Sequence, residues 1–412
     1  MDGTMIADAL QRIDAARTGD ETTRRAPELA DIPLGRYADP EFAAAEVSEV
    51  FGRSWSFIGH RSEWEAPGSY RVIDLPGGSI IVTRDASGRL HAVRNACRHR
   101  GAPVCREPAG RARRLTCRFH SWSYDLSGAL VGVPCEADFG GLIREDRSLG
   151  SLWLDTWGDF LFVSFDAEAA PVAEELAPLI RRYSDVVCGP LRLAHRASHD
   201  LAVNWKVAIE AFLETYHIRT VHQQTAASIT DTSAVANQLF GRGHSTSYVP
   251  WMPEVFEDEA LGFIHAAMFP SDLAPIDGAP DFYRRNTTVF SIFPNVVCPI
   301  DDHGVLFLAF WPLAVDRTRF DLHWYGTDWG GRPRPEGWDL RVAGWDAIMA
   351  EDLVNMEPIQ RSIGAAAHGG VPLSVGEHRI HHLHAEIDRR IGSDRIAAAL
   401  RVAPVLDPLI EE

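Results

Sequence analysis

Lysine is almost missing from this chain: of 40 basic residues, Lys206 is the sole lysine. The arginine bias recurs along the whole length, so we take it as compositional and give it no functional weight. Long apolar runs are missing too. No stretch approaches the roughly 18 uninterrupted apolar residues that a membrane helix needs. The opening MDGTMIADALQRIDAARTGDETTRR also lacks the apolar core of a secretory leader. We therefore expect a cytoplasmic protein with no membrane association. There is no excess of positive charge: 40 basic against 57 acidic residues give −17 with histidine neutral, which argues against nucleic acid as a partner. Cysteine is sparse, six in 412 residues, and does not make a disulfide scaffold. Nor is there a G-x-G-x-x-G strand–turn–helix motif, so the chain cannot take hydride from a dinucleotide itself.

What is present is an ordinary globular composition, 46% apolar and 24% charged, with 17 histidines as its one chemical hint. The texture predicts an α+β chain in three segments: a helical stretch over 1–45 packing on the last segment, a small all-β module over 46–165, and a larger domain over 166–412. In the module, SYRVIDL, SIIVTR, LHAVRN and FLFVSF read as strands separated by PGG and ASG turns. The larger domain should be an antiparallel sheet covered by long helices. Its strands fall within 282–330, separated by DDHG and VDRT turns. NWKVAIEAFLETYH, 204–217, has no Gly or Pro and predicts a long helix. A further helix over 338–363 contains Pro358, expected to kink it or shift its end. A last helix opens on Ser374 as N-cap, and its HHLH at 381–384 reads as a packing or capping feature, not a metal site.

The strongest signal is CRHRGAPVCREPAGRARRLTCRFHSW. Cys97 and His99 stand one residue apart, and Cys117 and His120 follow after seventeen more, two residues apart. Each pair sits in a tight loop beside a short β run. A single zinc draws its close pairs from wider spacings. Cys-x-His fits better if the two side chains face different metals, as in a Rieske 2Fe–2S centre, where two thiolates hold one iron and two imidazoles the other. Zinc is the competing metal. Cys105, in the same loop, is not needed as a ligand and reads as a buried thiol.

A second set follows in the helix segment: Glu214, His217 and His222, spaced E-x2-H-x4-H. On a regular helix Glu210, Glu214 and His217 share one stripe, but His222 lies about 140° round from His217. Both histidines reach one metal only if the helix bends or ends after His217. Two histidines and one carboxylate, with positions left open, are the facial triad of non-haem iron(II) oxygenases. The carboxylate must come from elsewhere in the chain.

Residues 97–130 resemble the Rieske signature of the bacterial Rieske non-haem iron oxygenases, the α (terminal oxygenase) subunits of ring-hydroxylating and related enzymes. The resemblance runs from about residue 45 to 390. It implies a 2Fe–2S cluster on Cys97, His99, Cys117 and His120, and one Fe(II) on His217, His222 and Asp352. Asp352 comes from likeness of AEDLVNMEPIQRS to the family's C-terminal helix, with Glu357 at its +5 position; Glu351 is a rival that spacing does not separate. Many members have Asn where Ala211 stands, and Asp where Glu214 stands. The resemblance further implies a homotrimer, with Glu214 bonding His217 and reaching His99 or His120 of a neighbouring copy. Electrons would come from a separate reductase, with or without ferredoxin, so that NAD(P)H acts only indirectly. O2 would be used to hydroxylate, dihydroxylate or oxidatively dealkylate a small aromatic or amine substrate. The alternative, an electron-transfer protein using the Rieske site alone, expects a chain of ~100 residues. Phe240, Phe290, Phe293, Phe307 and Phe310 either line a pocket or form plain core.

Overall fold

The computed structural model describes residues 1–19, 27–256, 262–366 and 369–412. The chain forms two compact units, Phe51–Val172 and the combination of Met1–Val50 with Ala173–Glu412. The first 50 residues thus belong with the larger unit, and the module's borders lie at 51 and 172 rather than 46 and 165; residues 20–26 of the N-terminal segment lie outside the described part. Among the described residues no helix is long and apolar enough to cross a membrane.

The smaller unit is all antiparallel β apart from short 3-10 turns. One sheet runs in the order Leu90–Arg94, Gly78–Arg84, Ser69–Leu75 and Ala109–Arg111. A second pairs Ser56–His60, Phe160–Ser164 and Trp153–Trp157, and a third is built from Leu115–Thr116, Ser123–Tyr124 and Leu130–Gly132. The turns follow from local chemistry. In DASGR, Asp85 Oδ1 accepts the N–H groups of Ser87 (2.9 Å) and Arg89 (3.0 Å), and Gly88 takes φ +87°. DLSGA repeats this at Asp125. The core packs Ile81, Val93, Leu115, Trp122 and Tyr124 around the thiols of Cys97, Cys105 and Cys117.

The larger unit is built on an eight-stranded sheet. Its order is Leu191–Leu201, Arg317–Thr327, Gly304–Ala314, Val296–Asp301, Asn286–Ile292, Ser245–Pro250, Ala236–Phe240 and Ile410–Glu411. All pairs are antiparallel except the last. The strands within 282–330 alternate with turns as the sequence indicates, although the first stretch holds two strands and a short helix, Phe282–Arg285. The long helix Gly337–Gly364 lies close to the sheet because Gly326 has no side chain: a Cβ there would fall 2.0 Å from the Trp338 ring. Arg341 adds a buried ion pair to Asp301 and a 2.9 Å bond to Met268 O. Pro358 neither ends nor divides this helix.

NWK begins a helix, but a shorter one than its composition indicates. Asn204 caps it, with its side chain accepting from Lys206 N (3.0 Å) and its own N–H donating to Gln360 of the long helix (2.8 Å). Trp205 Nε1 and Lys206 Nζ both reach Glu46, at 3.2 and 2.8 Å, all three side chains buried. The helix stops at Glu210, and a separate turn, Ile218–Val221, follows. The expected continuous helix over 204–217 is therefore wrong: the break falls before Glu214, not after His217.

Candidate functional site

Two loops in the smaller unit carry the Cys/His pairs, and they share one backbone pattern. Cys97 N donates to Ala102 O (2.9 Å) and Gly101 N returns to Cys97 O (2.8 Å); Cys117 N donates to Trp122 O and Ser121 N to Cys117 O, both 2.9 Å. The fifth residue of each loop must be left-handed: Gly101 takes φ +78°, and Ser121 takes φ +60° at a cost glycine avoids. Both thiols are buried, while His99 is half-buried and His120 exposed. The imidazoles face each other, Nδ1 to Nδ1 at 3.1 Å, with His99 stacked on Trp122. Among the described residues, the sets of three or more donor atoms lying within 4.8 Å of one another are His217/His222/Asp352 and Asp301/Asp302/His303. The four loop residues are thus not gathered round one point. Four zinc ligands at ~2.1–2.3 Å from a single ion would be, so the arrangement fits a two-iron cluster and not zinc.

Tyr124 adds a bond that the spacing did not reveal. Its oxygen accepts Arg98 N–H (3.0 Å) and lies 3.2 Å from Cys97 Sγ, which leaves its O–H to donate to the sulfur. A hydrogen bond to a cluster thiolate raises the reduction potential. Burial pushes the free Cys97 thiol up, so a bound metal must displace its proton. Cys105 is buried, its thiol pushed up to about 11 by burial.

In the larger unit the second set converges. His217 Nε2 lies 3.2 Å from His222 Nε2 and 3.4 Å from Asp352 Oδ1, and His222 Nε2 lies 3.0 Å from that same oxygen. The break after Glu210 is what turns both rings inward. Each ring's far nitrogen is held by a carboxylate: His217 Nδ1 by Glu214, and His222 Nδ1 by Glu351 at 2.8 Å. Glu214 is fixed in turn by the N–H groups of Tyr216 and His217, and Glu351 by the Thr225 hydroxyl. Such partners set tautomer and ring orientation at a metal. Asp352 faces the two Nε2 atoms, whereas its neighbour Glu351 stands behind His222; Glu357 is exposed and pairs with Arg361. Burial alone would lower His217, but hydrogen bonds to Asp352 and Glu214 outweigh it and push it up to about 10. The same two imidazoles hold Asp352 below the usual carboxylate range against its burial.

A cavity of about 130 Å³ opens on this triad, with Phe212, Ile229, Val249, Trp251 and Trp345 among its walls. An engineered apolar cavity of ~150 Å³ holds benzene, so the space suits a small molecule. The five phenylalanines named from sequence are buried and do not line this cavity: Phe310 stacks on Phe320, for example, and Phe290 on Tyr183. His381, His382 and His384 are buried packing residues, His382 Nε2 bonding Phe240 O at 2.9 Å.

Comparison with known proteins decides the family. The Rieske [2Fe-2S] domain family model matches residues 54–149, and that of the ring hydroxylating alpha subunit catalytic domain matches 190–393. The oxygenase subunit of glycine betaine monooxygenase from Chromohalobacter salexigens is 32% identical over 377 residues, 83% of this chain and 81% of that one.

The chain belongs to the Rieske non-haem iron oxygenases, as an α subunit.

Chlorobenzene dioxygenase subunit alpha from Cupriavidus is also 32% identical, over 48% of this chain and 46% of its own. The fold matches a quaternary ammonium Rieske monooxygenase solved with L-carnitine (TM-score 0.71, 21% identity, 88% of this chain and 96% of that one). It also matches naphthalene 1,2-dioxygenase from Rhodococcus (TM-score 0.72, 19% identity, 96% and 100%). This α subunit is a terminal oxygenase whose cofactors are a Rieske 2Fe–2S cluster and mononuclear iron. Oxygenases of this family receive electrons from a reductase or ferredoxin. The electron-transfer alternative is set aside by the catalytic domain.

Proposed function

We propose that His217, His222 and Asp352 hold the mononuclear iron, that Cys97, His99, Cys117 and His120 hold the cluster, and that the enzyme monooxygenates a small organic substrate. One observation carries the reading: two imidazoles and one carboxylate converge at the end of a small apolar cavity, each imidazole oriented from behind by a second carboxylate. Ligand atoms ~2.1 Å from a metal and at right angles to each other lie ~3.0 Å apart, and the spacings here are 3.0 to 3.4 Å. The donor set therefore fits a facial triad. Bound there, iron supplies activation of O2, with two electrons drawn through the cluster. The overall balance is a C–H bond, O2, two electrons and two protons giving C–OH and water.

The protein's own part is orientation and exclusion. Glu214 and Glu351 keep the Nε2 lone pairs of both histidines pointing inward, and the apolar walls seat the substrate while keeping bulk water out. Monooxygenation is the reading supported by the glycine betaine monooxygenase subunit, which combines 32% identity with 81% coverage of its length, whereas the terephthalate 1,2-dioxygenase α subunit, covered over 88%, is 24% identical. Hydroxylation of an N-methyl carbon would release the amine by dealkylation. Tyr216 and Val354, 78% and 70% exposed, each lie two residues beyond a site residue, and their apolar surface suits cover by a neighbouring copy in a trimer. Glu214 would then link His217 to His99 or His120 of that copy.

Anaerobically purified protein should contain labile sulfide and three irons per chain, two in the cluster and one in the triad. With a surrogate reductase it should form a hydroxylated or dealkylated product from a panel of aromatic and N-methylated compounds. Tightly bound zinc without sulfide, or a product carrying two oxygen atoms from one O2, would overturn the corresponding half of this proposal.

A further inference from the structure

Three arginines are buried among the described residues, and one has no acid beside it. Arg36 pairs with Asp388 and Arg341 with Asp301. Arg379, 2% exposed at the start of the helix His378–Ile391, meets only neutral acceptors among the described residues: Ser245 Oγ at 2.9 Å, Val289 O at 3.2 Å and Leu213 O at 3.5 Å. A guanidinium carries five N–H groups, so two remain without a partner. Burial pushes it down to about 9, and no carboxylate offsets that. A buried charge left unpaired is strongly disfavoured unless something supplies its counter-ion.

The position of Arg379 shows where a counter-ion would enter, because it lines the same cavity as His217, His222 and Asp352. Three more polar groups on that cavity are buried without a partner among the described residues: Ser247 Oγ and the indole N–H groups of Trp251 and Trp345. Indole nitrogens donate only. The carboxylates of the site, Asp352, Glu214 and Glu351, are already taken up by the histidines, so the unsatisfied groups that remain call for an acceptor. A planar fork of N–H groups matches a carboxylate bidentately. An amine or hydrocarbon without an anion would leave the guanidinium as unpaired as it is now.

We propose that Arg379 receives a carboxylate of the substrate, so that this oxygenase acts on a small organic acid, held by its anion while one of its C–H bonds faces the metal triad. This rests on the oxygenase reading above and narrows it to a substrate class. The anchoring is also a discrimination device. A site built for a charged partner rejects the isosteric molecule lacking it, because its own buried group is left unsatisfied.

The test is a paired binding experiment on the holoenzyme, with iron and sulfide content measured in every sample. Benzoate is compared with benzamide, and glycine betaine with choline, by calorimetry. At least one acid should bind ten- to a hundred-fold more tightly than its counterpart. Arg379→Gln should erase that ratio while changing the counterpart's affinity less than twofold. Arg379→Lys should restore part of it, and Ser245→Ala, which keeps the charge, should preserve the preference. Cluster absorbance and thermal midpoint report folding of each variant. No acid preference in the wild type overturns the proposal even if Arg379→Gln fails to fold; so does equal weakening of acid and counterpart in a folded variant. Wild-type protein lacking iron or sulfide would instead sink the oxygenase reading, which separates the two failures.

Discussion

Glu351 and Asp352 are adjacent carboxylates to which the structure gives different work, and exchanging their losses tests the geometry. Glu351 Oε2 takes His222 Nδ1 at 2.8 Å and the Thr225 hydroxyl, with 24% of its side chain exposed. Removing such a partner behind a metal histidine costs roughly 10- to 100-fold in metal affinity, or about 1.4–2.7 kcal/mol. Glu351→Ala should therefore weaken iron binding by that factor and leave the cluster intact. Glu351→Gln keeps an acceptor but loses the charge assistance, which roughly doubles such a bond, so about half the free-energy loss should remain. Asp352→Ala removes a ligand atom that lies 3.0 Å from one Nε2 and 3.4 Å from the other, and excess iron should not rescue it. The assay is anaerobic Fe(II) titration of protein depleted of mononuclear iron but retaining its cluster, followed by single-turnover product yield at saturating iron. Full rescue of Glu351→Ala and none of Asp352→Ala is the expected outcome. Rescue of Asp352→Ala, with Glu351→Ala dead at any iron concentration, would show the roles to be reversed.

Three further outcomes follow from the same contacts. Glu214→Gln should keep both centres loaded yet slow single-turnover product formation by orders of magnitude, and a wild-type rate would remove Glu214 from the electron path. In iron-depleted protein His217, raised to about 10, adds stability that is fully present below its unfolded value of ~6.5 and is lost as pH rises through about 10. Because iron must displace that proton, its affinity should climb between pH 6.5 and 9 with proton release in calorimetry; a flat profile would mean the ring is already neutral. Lys206→Ala leaves buried Glu46 without its partner at 2.8 Å and should cost about 3–5 kcal/mol in denaturant melts. Adding Glu46→Leu should recover much of it, and a single variant as stable as wild type would make the pair idle.

Legibility divided along the range of the interactions. The cluster loops could be read because their bonds are local: each closes on itself within five residues, and Gly101 announces the left-handed position that Ser121 hides. The module strands were legible for the same reason, being set by turns such as DASGR. The segment 204–217 was not. Its lack of Gly and Pro pointed to a continuous helix, but the Glu214 carboxylate takes the N–H groups of Tyr216 and His217, and such local side-chain bonds compete with helical ones. Pro358 does not shift the end of its helix. It removes one backbone bond, to the carbonyl of Val354, and that residue is 70% exposed, so water can replace the bond.

The carboxylate pair shows where sequence spacing must stop. Glu351 and Asp352 are one residue apart, about 100° round the helix, so the choice between them depends on how the long helix is rotated against the sheet. That rotation is set far away, by the Trp338 ring against Gly326 and by Arg341 on Asp301 and Met268 O. Arg379 depends on still more distant partners: Ser245, Val289 and Leu213 come from three separate segments. The sequence does leave one trace of it. Arg379 shares a helical stripe with Leu383 and Ile387, both buried, so a charged residue stands where the period calls for an apolar one. A charge that breaks an apolar stripe must find an acid in the fold or leave room for one to bind, and here the described residues supply none.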